Sequence, residues 1–181
     1  MELLFFLFPS FIHGILMGNF SLTETPEQQA KKPLLEGISL YEREEIPAAF
    51  RFFEKVVIDH PKSAYAYLYK AKCHFYFENY EIALQDLRKS LQLDNSIRET
   101  YLLKATCHFN IEDYDEAMLE YRRASQFYLD KNAEVRRRIG ELELKRGNFK
   151  SANDAFAKAA KLGDNEAKSY LTNMDAYYKQ P

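Results

Sequence analysis

Residues 64–97, AYAYLYKAKCHFYFENYEIALQDLRKSLQLDNSI, align without a gap on residues 98–131, RETYLLKATCHFNIEDYDEAMLEYRRASQFYLDK. Tyr67 falls on Tyr101, Leu68 on Leu102, Lys70-Ala71 on Lys104-Ala105, Cys73-His74-Phe75 on Cys107-His108-Phe109, Tyr80 on Tyr114, and Ala83-Leu84 on Ala117-Met118. A self-match at a period of 34 means that the chain is assembled from copies of one supersecondary unit. Within residues 78–93, Tyr80, Ala83, Leu84, Leu87 and Leu91 recur at spacings of three and four, which puts one apolar stripe on a helix face. The small residues Ala71, Ala83, Ala105 and Ala117 let two such helices approach closely.

The same frame runs outward in both directions. Backwards, Gly37 takes position 8, Ala49 position 20, Phe53 position 24 and Pro61 position 32, so residues 30–63 form a repeat. Forwards, one extra residue restores the frame: Gly140 takes position 8, Gly147 position 15, Phe149 position 17, Ala152 position 20 and Phe156 position 24, making residues 133–166 a fourth repeat. In 167–181, Ala167, Tyr170, Leu171, Met174 and Tyr177 share one side, the pattern of a terminal helix that covers the last repeat. With 181 residues and only 6 Gly and 6 Pro, few long helices in one domain are expected rather than many short strands.

Period, small residues and aromatic positions resemble the tetratricopeptide repeat over about three quarters of the chain. The resemblance implies an all-α, right-handed superhelical solenoid of four helix-turn-helix repeats (30–63, 64–97, 98–131 and 133–166) with a C-terminal capping helix. It further implies a protein–protein interaction module whose first helices line a concave groove. Carried over by repeat position, that groove comprises Leu34, Ile38 and Tyr41 from the first repeat and Tyr65, Leu68, Tyr69, Lys72, Phe75 and Tyr76 from the second. The third repeat adds Leu102, Thr106, Phe109 and Asn110. This wall is mostly apolar and rich in tyrosine, suited to an apolar or helical segment of a partner. The alternative is that these rings pack between helices. Relatives that clamp a carboxylate use Lys or Arg at positions 5 and 9 or 2 and 6, with Asn nearby; here repeats one to three carry Leu34, Leu68 and Leu102 at position 5, and Ile38, Lys72 and Thr106 at position 9, and the clamp is not expected.

Between Lys131 and Lys161 nine basic residues face four acidic ones. Arg136, Arg137, Arg138 and Lys145 form a basic patch that either receives an acidic peptide, lipid head groups or phosphate, or is a solvated helix face. A net charge of −2 argues against nucleic acid as a partner. Cys73, His74, Cys107 and His108 make up a zinc-like set in type, but adjacent helical residues point about 100° apart and each pair sits in a different repeat, so no metal site is expected. Phosphate-binding glycine loops and nucleophile motifs are missing; neither cofactor nor enzymatic activity is expected.

Residues 1–22 are hydrophobic, and the 21 residues between Glu2 and Glu24 carry no charge. That length is near the roughly 20 residues that span a bilayer. Three readings stand. A signal peptide lacks the basic start it needs, since the first Lys or Arg is Lys31. An anchor through residues 3–20 must accommodate Pro9, Ser10, His13, Gly14 and Asn19, and would place Lys31 and Lys32 on the cytoplasmic side. The third reading is an apolar segment packed into a groove, which makes the protein cytoplasmic. Residues 23–32 are polar and read as a linker overlapping the first repeat. The expectation is therefore a scaffold or adaptor, membrane-associated or exported, with a chaperone for secreted or membrane proteins and a structural subunit of a membrane complex as alternatives.

Overall fold

The structure, a computed structural model, describes residues 24–128 and 131–178, with side chains in the last helix as far as Asn173. The leader, residues 1–22, lies outside the described residues. Contacts divide the chain into two units, Met1–Pro33 and Leu34–Pro181.

In the first unit the stretch expected to be a linker is helical: α1, Pro26–Lys31. Thr25 and Gln28 cap it reciprocally, Pro26 opens it with a preset φ, and Glu27 pairs with Lys31 one turn on at 2.7 Å. A polar composition hid a complete capping box. A 3-10 turn, Lys32–Leu34, follows, and Pro33 within it cannot donate to a helix ladder. The first repeat accordingly begins its helix at Leu35 rather than near residue 30.

The second unit is a run of helical hairpins: α2 (Leu35–Glu42) with α3 (Ile46–Asp59), α4 (Ala64–Tyr76) with α5 (Tyr80–Leu93), α6 (Arg98–Asn110) with α7 (Tyr114–Phe127), and α8 (Ala133–Lys145) with α9 (Phe149–Lys161). A final helix, α10 (Asn165–Tyr178), packs on α9 as the terminal cap. Each helix packs on the one before and the one after it, and no strand occurs among the described residues. The order is that of an all-α solenoid.

The turns inside the four repeats share one geometry. Glu44, Glu78, Glu112 and Gly147, all at position 15, have φ between 59° and 76°. The residue after each donates its N–H across the turn: Glu45 to Leu40 O, Asn79 to His74 O, Asp113 to His108 O and Asn148 to Glu143 O, at 2.8–2.9 Å. This is the left-handed helix stop that glycine adopts without strain and glutamate does not. Since the left-handed conformation costs a side chain about 1–2 kcal/mol and glycine loses about 0.5–1 kcal/mol in unfolded-chain entropy, Glu112→Gly should stabilise by roughly 0.5–1 kcal/mol, with Gly147→Glu reversing the sign. Urea titration followed by circular dichroism reads both.

Small residues at position 8 meet large ones at position 24. The chain pairs Gly37 with Phe53, Ala71 with Leu87, Ala105 with Tyr121 and Gly140 with Phe156; all four large residues are fully buried. A Cβ on Gly140 would sit 2.7 Å from the Phe156 ring, so the helices cross at a distance only glycine allows. The core runs in three clusters: one through the first two repeats to Cys107, one around Tyr121 joining the third repeat to Leu142, and one in which Phe156 and Ala159 meet Ala167 of the cap.

Charge is buried at repeated places too. Lys70 Nζ lies 2.9 Å from Asp86, and 34 residues on Lys104 Nζ lies 2.7 Å from Glu120, whose side chain is fully buried. Each pair ties the first helix of its repeat to the second.

Candidate protein-interaction face

The face offered by the first helices divides into a packed aromatic half and a charged cleft. Tyr69 stacks on Phe53 of the preceding repeat, with centroids 5.2 Å apart and planes at 18°, and meets Tyr41 edge-on at 6.2 Å. Lys72 Nζ sits 4.2 Å from the Tyr69 ring centroid and 2.6 Å from Glu99 of the next repeat. Burial, then Glu99 and Glu42, pushes the Tyr69 hydroxyl up to about 12, so the ring stays neutral.

Burial corrects the groove assignment at five positions. Leu34, Ile38, Tyr65, Leu68 and Tyr69 all belong to the first core cluster. For Tyr69 the cause is lateral: Phe53, at position 24 of the preceding repeat's second helix, lies against its ring. Tyr41 and Phe75 are half-buried, the latter edge-on to Tyr80 at 5.4 Å. Leu102 and Phe109 pack against the second cluster. The Thr106 hydroxyl donates to Leu102 O at 2.9 Å and lies 3.2 Å from the Tyr121 hydroxyl, while Asn110 is exposed and donates to Thr106 O. Tyr76 remains as a large ring 56% exposed on α4.

The basic patch is also split. Arg137 is buried, bonded to Glu141 at 2.6 Å, Asp164 at 3.2 Å and Glu166 at 3.1 Å. Burial alone lowers a guanidinium's pKa, but here the three carboxylates outweigh it and raise it. The free oxygen of Asp164 accepts the Ala167 N–H, capping α10. Arg137 is thus a clasp between the fourth repeat and the cap, not a free cation. Arg136 is half-buried, Arg138 bonds Glu141 at 3.0 Å, and Lys145 is exposed. Beside this clasp lies a cleft of about 540 Å³ lined by Phe109, Arg137, Arg138, Glu141, Leu144, Lys145, Glu166 and Tyr170.

The Cys and His residues serve the interior. Burial pushes both the Cys73 and the Cys107 thiol up to about 12, which leaves neither poised as a nucleophile. His74 lies edge-on to Phe50 at 4.9 Å, and burial lowers its pKa against the opposing pull of Asp86. His108 Nδ1 lies 3.1 Å from Asp113. Among the described residues no three His, Cys, Asp or Glu are gathered as a metal site, and no helix is long and apolar enough to cross a membrane.

Asp86, Glu120 and Asp164 were not singled out by sequence, although an acidic residue sixteen places after each of Lys70 and Lys104 is a signal at the repeat offset.

Stacked hairpins with this turn and crossing geometry define the class of helical-repeat scaffolds that hold other proteins. The model of the family "Anaphase-promoting complex, cyclosome, subunit 3" matches residues 42–124. No curated protein sequence matches the chain. Solved structures match at low identity. MamA residues 41 to the end from Desulfovibrio magneticus RS-1 has 19% identity and TM-score 0.66, with 76% of this chain and 75% of that one covered. A crystal structure of MamA protein has 18% and 0.67, with coverages of 83% and 89%. TTC0263, a thermophilic TPR protein of Thermus thermophilus, has 15% and 0.65, with 76% of each covered. The chain has the fold of a tetratricopeptide-repeat protein.

Proposed function

We propose that the protein is a non-catalytic scaffold that holds an apolar or helical segment of a partner against its first-helix face. Tyr76 carries this reading: a large ring left 56% exposed, edge-on to the exposed ring of Phe77 at 6.2 Å. Such anchors bind with little entropy loss. Loss of an anchor of this kind costs about 2 kcal/mol, or roughly 30-fold in affinity.

The test is quantitative co-purification of the tagged full chain in mild detergent. Tyr76→Ala should lose its partner while keeping its thermal unfolding, whereas Ile58→Ala, 74% exposed on α3, should keep it. Equal recovery with both variants sinks the proposal. Tyr69→Ala is unsuitable, because its buried ring is a core element. A stoichiometric partner favours a structural subunit, a transient set a chaperone. Work at a membrane or outside the cytoplasm rests on residues 3–20, and mass spectrometry of the mature N-terminus together with fractionation tests it.

A further inference from the structure

The cleft at the fourth repeat contains donors that its own carboxylates do not consume. Glu141 has both oxygens engaged, Oε1 by Arg137 and Oε2 by Arg138. Glu166 gives Oε2 to Arg137. Arg138 spends Nη1 on Glu141 and keeps its other nitrogens, and Lys145 forms no ion pair among the described residues. These donors stand beside three apolar side chains already held in place. Phe109 packs on Tyr114 at 5.8 Å, Tyr170 stacks on Phe156 at 4.5 Å, and Leu144 belongs to the cluster beneath the cap.

A fixed apolar lining beside unspent cationic donors selects a ligand carrying both features, since a carboxylate gains charge-assisted bonds only where its neighbour can be desolvated. The cleft, at about 540 Å³, lies within the roughly 300–1,000 Å³ range of small-ligand sites, suited to a few side chains rather than a whole helix. We infer that this cleft receives, from a partner protein, an aromatic or branched apolar residue flanked by a carboxylate, the apolar group against Phe109, Leu144 and Tyr170 and the carboxylate on Arg138 and Lys145. The inference rests on the scaffold reading and names a second contact, separate from Tyr76.

The probe is 3-phenylpropionate, which joins a ring to a carboxylate at side-chain distance, with 3-phenylpropylamine as its charge-reversed counterpart. Each is titrated into ¹⁵N-labelled full chain at low ionic strength, observed by two-dimensional NMR. The acid should give saturable shifts at the amides of Arg138, Leu144, Lys145 and Tyr170; the amine should bind at least fivefold more weakly, and Arg138→Gln/Lys145→Gln should weaken the acid about tenfold. Equal binding of acid and amine, no saturable shifts at those amides, or unchanged binding by the double variant overturns the inference. If the cleft fails while Tyr76→Ala still releases the partner, this site falls and the scaffold stands; if Tyr76→Ala releases nothing, the scaffold reading itself falls.

Discussion

Phe156→Ala is expected to lower the unfolding free energy by about 3–5 kcal/mol, the range for emptying a fully buried aromatic site. The ring is fully buried, faces Gly140 across the helix crossing and stacks on Tyr170 with planes 7° apart, so three helices meet on it. Its removal should release the cap before the rest unfolds, because stability in a repeat array is a sum of local terms and interfaces. Urea melting by circular dichroism gives the magnitude, and hydrogen exchange at α10 shows where the loss falls. Protection at α10 unchanged from wild type would contradict this account. The complementary change is Gly140→Ala, which forces the Phe156 ring aside and costs about 1–3 kcal/mol as overpacking. Adding Phe156→Leu reproduces the Ala71 and Leu87 combination of the second repeat and should return part of that loss. A strictly additive double variant would mean that the two positions do not share the crossing.

Lys104→Met should cost about 3 kcal/mol, because it leaves the Glu120 carboxylate buried without its partner from the first helix. Glu120 is fully buried and is held by Lys104 at 2.7 Å and by Arg123 at 2.6 Å. Arg123 is half in solvent and cannot repay the desolvation alone. The double variant Lys104→Met/Glu120→Leu should recover to within about 1 kcal/mol of wild type, since an apolar pair of similar volume avoids the burial of charge. Thermal unfolding of the two variants decides it. If Lys104→Met alone melts like wild type, the buried pair contributes nothing to stability. Asp86 in the second repeat is the parallel site: burial raises its carboxyl pKa, opposed by the hydrogen bond and charge of Lys70.

Much of the fold was legible because each repeat is a local object. The gapless pairing of residues 64–97 with 98–131 places helix, turn and crossing at fixed intervals, and the observed helices start and stop within that frame. Glycine at position 15 of the fourth repeat marks a left-handed turn, and the three glutamates at the same position adopt it as well. Periodicity missed α1 because six residues hold too few apolar positions to show a stripe, and only the capping residues reveal it.

What sequence by itself determined was the number of repeats, their register and the small-to-large pairing across each hairpin, since these depend on residues close in the chain. Tertiary structure alone decided which rings on the first helices are surface and which are core. Position in the repeat aims a side chain at the same face each time, but burial depends on what the neighbouring repeat brings against it: Phe53 covers Tyr69, while nothing described covers Tyr76 to the same degree. The same holds for charge. Arg137 and Arg138 are adjacent and chemically identical, yet Asp164 and Glu166, 27 or more residues away, take the first out of solvent and leave the second at the cleft.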